Sequence, residues 1–180
     1  VNSHSIPLPS GKIFDYLNPQ PEMIDINDIA LSTSKICRFN GYCDGFYPVS
    51  QHCYIGSLHI EPEFALEFLL HDGTEAFVND LVSPFKRLLR DYITVEDRIA
   101  TTIRRRFGLP LKESTQVKEM DHCMYWTERY SLCKWYDNVW KTVDEEHLGG
   151  KALDGVVITP IDWNTSRLLF LERYAQLTIA

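Results

Sequence analysis

The chain has no apolar run long enough to cross a bilayer. Residues 64–70 form its most apolar stretch, far short of the roughly 20 residues a spanning helix needs, and even that stretch contains Glu67. The opening dozen residues lack an apolar h-region, so no signal peptide is expected. Positive charge is scarce. With 18 Lys and Arg against 25 Asp and Glu, the formal charge is −7. A general binder of the nucleic-acid backbone would be basic, so no stable complex with duplex DNA or RNA is expected. A nucleotide ligand stays open, because a metal and a few local cations make a positive pocket on an acidic protein. No two of the five cysteines have CxxC spacing. Their odd number and the missing leader point to reduced thiols and a cytoplasmic location. A zinc site of Cys37, Cys43 and Cys53 fits no standard spacing. Repeats and low-complexity tracts are also missing. One domain over 1–180 is expected, with 1–22 as an N-terminal arm and no membrane contact.

The chain does have a hydrophobic fraction of 44%, with 12% aromatics, enough for a full core. The pattern predicts a mostly helical, all-α fold, with small strands or an extended arm at Ser5–Leu8 and Lys12–Phe14. Asp25 or Asn27 caps a first helix. A second helix begins at Ser50. Pro62 reopens helix at a first-turn position, and Phe64, Ala65, Phe68, Leu69 and Leu70 make the next helix buried. Pro84 and Lys86 sit in a turn. Thr94–Asp97 reads as a capping-box-like helix start, ended by Gly108-Leu-Pro110. A long helix runs from Thr115 to about Tyr136. Gly149-Gly150 breaks the chain, and a last helix after Pro160 carries Leu168 to Leu177.

Four residues on these predicted helices are good ligands for a divalent ion: His52, His71, Asp72 and Asp121. Two imidazoles and two carboxylates are what a helical core supplies to hold a metal without thiolates. His71-Asp72 follows the apolar helix without a break, and a charged Asp there is costly unless paired or bound. Glu75, four residues after His71, falls on the same helical face. Asp121 lies beside a buried stripe and needs a partner: Arg38, Lys86 or a metal. Read alone, each has a bland alternative, such as an Asp72–Glu75 surface pairing with cations. His122 points another way and reads as a core or surface histidine. His4, His59 and His147 read as surface or loop. Asn164-Thr-Ser166 is a glycosylation sequon without meaning in a cytosolic chain.

The ordered motifs Arg38–Gly41, Tyr47–His52, Leu69–Ala76, Asn79-Asp80, Ser83–Lys86 and Val117–Asp121 resemble the HD-domain phosphohydrolases. Within them the chain looks like the short phage-type branch related to bacterial 5′-deoxynucleotidases and phage dNTP triphosphohydrolases. Ser10–Lys12, Ile24–Ala30 and Glu128-Arg129 also look like that branch. The resemblance runs from about residue 8 to 130, more weakly beyond. It implies an HD-type helical bundle and a metal held by His52, His71, Asp72 and Asp121. The ion, Zn, Mn, Co, Fe or Mg, is not readable from mixed N/O ligands. It implies catalytic roles for Glu75 and Asp80, phosphate binding by Arg38 and Lys86, and nucleoside contacts near Phe39 and Gly41. Gly73 departs from the usual Ala and is expected to loosen its turn.

The reaction so implied is hydrolysis of a small-molecule nucleotide at the α-phosphorus. The products are nucleoside with phosphate from a monophosphate, or with triphosphate from a dNTP. Arg87, Arg90 or a neighbouring subunit's copies of Arg104–Arg106 would serve a triphosphate. The rival class is a nucleotide-sensing module with a vestigial metal site. For a phage-encoded chain the location becomes the host cytoplasm. A homo-oligomer is expected, because Tyr125, Trp126, Tyr130, Trp135, Tyr136 and Trp140 crowd one helix and its extension.

Overall fold

The arm closes on itself before the helices begin. In the computed structural model, which describes residues 3–133 and 151–179, β1 (Ser5–Pro7) and β2 (Ile13–Asp15) pair antiparallel with Ile6 opposite Phe14. Gly11, at φ +84°, makes the left-handed turn between them. Ser10 donates its N–H and hydroxyl to buried Asp28, and Lys12 reaches the Ile24 carbonyl at 2.9 Å. Phe14 is fully buried and stacks on Phe77 at 4.2 Å. The arm is therefore a pinned hairpin.

The rest of the described chain is mainly helical. α1 (Ile26–Thr33) is capped by Asp25, whose carboxylate accepts the Asn27 N–H. α2 (Val49–His59) begins after Pro48, within a residue of the expected start. Pro62–Phe64 forms a tight 3-10 turn into α3 (Ala65–Leu70). α4 (Glu75–Val78) and α5 (Ser83–Lys86) are single turns. α6 (Arg90–Phe107) ends on left-handed Gly108 at φ +67°. α7 (Thr115–Leu132) and α8 (Trp163–Thr178) complete it, the latter capped by Asp162.

Packing centres on α2, which contacts α3, α7, α8 and α1. Gly56 permits its approach to α3: a Cβ there would lie 2.0 Å from the Phe68 ring. On one side Leu69, Leu70, Ile99, Ile103 and Phe170 form a core with the hairpin's Phe14. On the other Phe68, Ala65, Val117 and Met124 form a second. Each fully buried Leu or Phe contributes about 1.5–3 kcal/mol, so α3 is held although its six residues would not form a helix alone.

Four sequence expectations change. The helix leading to His71-Asp72 does break: Gly73 N–H bonds Leu70 O and Glu75 N–H bonds Asp72 O, both i to i−3 tight turns. Gly73 fits that turn rather than loosening it, since a Cβ would sit 3.0 Å from Leu70 O and 3.4 Å from Ile103. Thr94 does not start α6. It lies one turn inside, its hydroxyl donating to Arg90 O at 3.2 Å, as an interior threonine does. Lys86 ends the one-turn helix α5 rather than a plain turn. The expected α7 extension to Tyr136, Trp135, Trp140, His147 and the Gly149-Gly150 break lie outside the described residues. Among the described residues no helix is long and apolar enough to cross a membrane.

Candidate metal centre

Four lone-pair-bearing atoms from three segments meet at one point. α2 supplies His52, the turn after α3 supplies His71 and Asp72, and α7 supplies Asp121. His52 Nε2 lies 3.3 Å from His71 Nε2 and 3.2 Å from Asp121 Oδ1. His71 Nε2 lies 3.2 Å from Asp72 Oδ1 and 3.6 Å from Asp121 Oδ1. Asp72 Oδ2 is 3.6 Å from His52 Nε2. Ligands about 2.1 Å from an ion would be about 3.4 Å apart in a tetrahedron and about 3.0 Å apart in an octahedron. The observed edges match that scale. His52, His71 and Asp72 form a metal-competent group; Asp121 meets the two histidines but lies outside that group.

The outer contacts aim the rings. His52 Nδ1 meets Glu128 Oε1 at 2.5 Å, and His71 Nδ1 meets the Phe68 carbonyl at 2.6 Å. Both acceptors require N–H at Nδ1, which leaves each Nε2 with a lone pair toward the centre. Metal-binding imidazoles are oriented this way. The residues therefore fit a divalent cation: without one, the facing Nε2 atoms need protons to bind each other or the carboxylates.

The electrostatics agree. Burial and the Arg38 charge push the His52 pKa down, but Glu128 and Asp121 outweigh them and raise it. Burial likewise opposes the His71 charge, yet Asp72 and Asp121 hold its pKa well above the usual value. Asp121 would be raised by burial, but both histidines hold it well below the carboxylate range. Protons thus bind where a cation would.

Arg38 closes the centre from the loop before α2. Its Nη1 donates to Asp72 Oδ2 at 3.1 Å and its Nε to Glu128 Oε2 at 3.1 Å. Fully buried Glu128 also accepts the Tyr47 hydroxyl at 2.7 Å. Burial, then the charges of Asp72 and Asp80, hold the Glu75 carboxyl well above its usual range. Its Oε2 is buried with no hydrogen-bond partner. Burial also raises Asp80, half-buried beside the same charges. The preceding Asn79 sits at φ +70°, ψ 163°, a region that suits glycine alone.

A cavity of about 460 Å³ opens from the centre. Its lining combines His71, Asp72, Asp121, Glu75 and Lys86 with the apolar Ala100, Ile103, Leu109 and Leu111. Lys86 pairs with Glu96. Phe39 and Gly41 do not line it. Phe39 packs toward Tyr125, 6.0 Å between ring centroids, and Gly41 is exposed at φ +78°. The structure thus brings together His52, His71, Asp72, Asp121, Arg38, Glu75 and Lys86. Among the described residues, Cys37, Cys43 and Cys53 form no metal-competent group. Cys53 lies buried beside His71, with its thiol pushed up to about 11 by burial. His122 accepts the Trp126 indole N–H at 3.1 Å, an internal role.

No family model matches the sequence. The chain is 40% identical over 169 residues to the uncharacterized protein YfdR of Escherichia coli, covering 94% of this chain and 93% of that protein. The chain belongs to the YfdR family. The uncharacterized protein RCAP_rcc00048 of Rhodobacter capsulatus is 35% identical over 123 residues, 61% of each chain. For this YfdR-family chain, sequence reasoning had not singled out Glu128 as part of the centre. The available signal was a carboxylate seven residues, two helical turns, after Asp121 on the same helix.

Proposed function

We propose that this chain is a metal-dependent phosphohydrolase of the HD-domain type that converts deoxynucleoside monophosphates to nucleoside and phosphate. The observation carrying this reading is the convergence of His52, His71, Asp72 and Asp121, with both Nε2 atoms aimed inward. These four would hold a divalent cation. Bound there, the cation would supply Lewis-acid polarisation of a phosphoryl oxygen and a lowered pKa for a nearby water.

The remaining work falls to the chain. Arg38, fixed by Asp72 and Glu128, uses two of its five N–H donors on them and keeps others for phosphate oxygens. Lys86 gives a second positive charge on the cavity wall. Glu75, whose carboxyl pKa is raised by burial and by the charges of Asp72 and Asp80, would donate a proton to the leaving 5′-oxygen. Asp80 positions that proton through its charge. The nucleoside would lie against Ala100, Ile103, Leu109 and Leu111, which line the cavity, rather than against Phe39 and Gly41.

The charge on the wall favours a monophosphate. Asp72, Glu75, Glu96, Asp97, Glu113 and Asp121 line the cavity with only Lys86 and Arg104 opposing them. Arg104 is committed to Glu67 and the Pro110 carbonyl. With Arg104 so committed, Arg38 and Lys86 remain for phosphate, and a triphosphate needs more cations than those two.

The test is incubation of chelator-stripped, then Mn-, Co-, Zn- or Mg-loaded protein with each dNMP and dNTP, resolving phosphate from triphosphate. Phosphate from dNMPs is expected. In Glu75→Ala metal content stays and turnover falls about 10²–10⁴-fold. Triphosphate release would move the substrate to dNTPs, and no turnover with any ion would replace the enzyme by a nucleotide-sensing module.

A further inference from the structure

The loop that carries Arg38 is bracketed by two thiols. Cys37 Sγ lies 3.8 Å from Cys43 Sγ. Residues six apart meet because the chain coils through three left-handed positions between them: Phe39 at φ +57°, Asn40 at +53° and Gly41 at +78°. The Cys37 end is anchored. Cys37 bridges Pro48, the Arg38 N–H bonds Tyr47 O at 2.9 Å, and the Arg38 guanidinium binds Asp72 and Glu128. At the other end the Asp44 N–H bonds Leu132 O at 2.7 Å, while the side chains of Asp44 and Phe46 and the Gly45 backbone are exposed. Of the other cysteines, Cys53 and Cys133 are buried, and Cys123 is half-buried on α7. A disulfide bond of about 2.05 Å requires the two sulfurs to close by a little under 2 Å.

We infer that Cys37 and Cys43 are a dithiol modification site, which a small disulfide oxidant closes to an intramolecular disulfide around Arg38. Cys43 Sγ donates to the Arg38 carbonyl at 3.7 Å and the Gly45 carbonyl at 3.5 Å, which retains its proton and leaves Cys37 to attack first. The Cys37 thiolate attacks one sulfur of the oxidant, whose S–S bond breaks, and one thiolate leaves. Cys43 gives its proton to that thiolate, attacks the Cys37 sulfur of the mixed disulfide and expels the second thiolate. Two protein thiols are oxidised and one external disulfide is reduced to two thiols. The closed ring tethers the backbone on both sides of Arg38.

The experiment treats the reduced protein with oxidised glutathione and maps peptides from trypsin followed by chymotrypsin without reduction, since the tryptic peptide 39–86 carries both Cys43 and Cys53. Trypsin cleaves after Arg38, between the two cysteines, so only a disulfide keeps their peptides together. The expected product is monomeric in mass, lighter by two hydrogen atoms, with Cys37 linked to Cys43. Its 38–47 amides exchange more slowly than in the reduced protein, and dithiothreitol reverses both changes. Cys43→Ser stops at one glutathione adduct on Cys37. Unchanged thiols, linkage through any other cysteine, or a stable wild-type glutathione adduct without ring closure would overturn the inference.

Discussion

Three donors meet the Glu128 carboxylate: the His52 ring, the Arg38 guanidinium and the Tyr47 hydroxyl. Burial would raise its pKa, but Arg38 and His52 outweigh burial and hold it below the ordinary value, so the anion persists. Its effect at the centre is indirect. It keeps the proton on His52 Nδ1 and so keeps Nε2 free for a cation. Glu128→Gln preserves volume but offers one acceptor oxygen and an NH₂ where three donors converge. We expect metal affinity to fall about 10–100-fold with the helical signal retained, read by calorimetric titration. Unchanged affinity would remove Glu128 from the centre. At this scale the sequence was legible for residues whose type is costly where they stand. Asp121 beside a buried stripe and Asp72 after an apolar helix both demanded a partner. Glu128 carried no such warning, because a Glu on an amphipathic helix is ordinary. Nor did spacing alone pair Cys37 with Cys43, since their meeting depends on two non-glycine residues in left-handed conformations.

Elements set the distance between ligands. His52 and His71 ride on α2 and the end of α3, and Gly56 fixes how closely those helices approach. Gly56→Ala places a methyl 2.0 Å from the Phe68 ring. We expect a loss of about 3 kcal/mol, the upper part of the range for overpacking, measured by urea unfolding. The surviving folded protein should bind metal more weakly, as the ligands are pushed apart. A second control lies where α6, α7 and α3 meet. Buried Glu67 accepts the Ser114 N–H and hydroxyl and pairs with Arg104 at 2.9 Å. Burial would raise the Glu67 pKa, yet the Ser114 bonds and Arg104 hold it below the ordinary 4.5. A depressed carboxyl pKa gives stability that is present above 4.5 and lost as pH falls through the folded value. Glu67→Gln should therefore cost about 3 kcal/mol near neutral pH, and its deficit should shrink on acidification. A deficit independent of pH down to 3 would assign the loss to packing. Helix existence was legible from caps and apolar runs, such as Asp25 before α1 and Leu168 to Leu177 on α8. The tight turn at His71–Thr74 was not, because apolar patterning does not distinguish i to i−3 from i to i−4 bonding.

Across the whole molecule, the centre lies where the two apolar clusters share α3. Leu69 and Leu70 belong to one cluster and Phe68 to the other, while His71 and Asp72 follow directly at the opening of the cavity. The mainly helical architecture was legible from composition and pattern; the arm read as small strands or extended chain, and its pairing into a pinned hairpin was not legible. The position of the cavity against α6 was not, because it depends on how α6 and the segment before α7 fold back over the His71–Glu75 turn. Of the aromatics that suggested an oligomer, Trp126 is buried and Tyr130 exposed, while Trp135, Tyr136 and Trp140 lie outside the described residues. The proposed function requires that His52, His71, Asp72 and Asp121 hold a cation. Calorimetric titration of Mn²⁺, Co²⁺, Zn²⁺ and Mg²⁺ into chelator-stripped protein, beside folded Asp72→Ala and His52→Ala variants, tests it most directly. The expected result is saturable binding of one cation per chain for at least one metal, lost in both variants. No saturable binding by wild type, or equal binding by the variants, would contradict it.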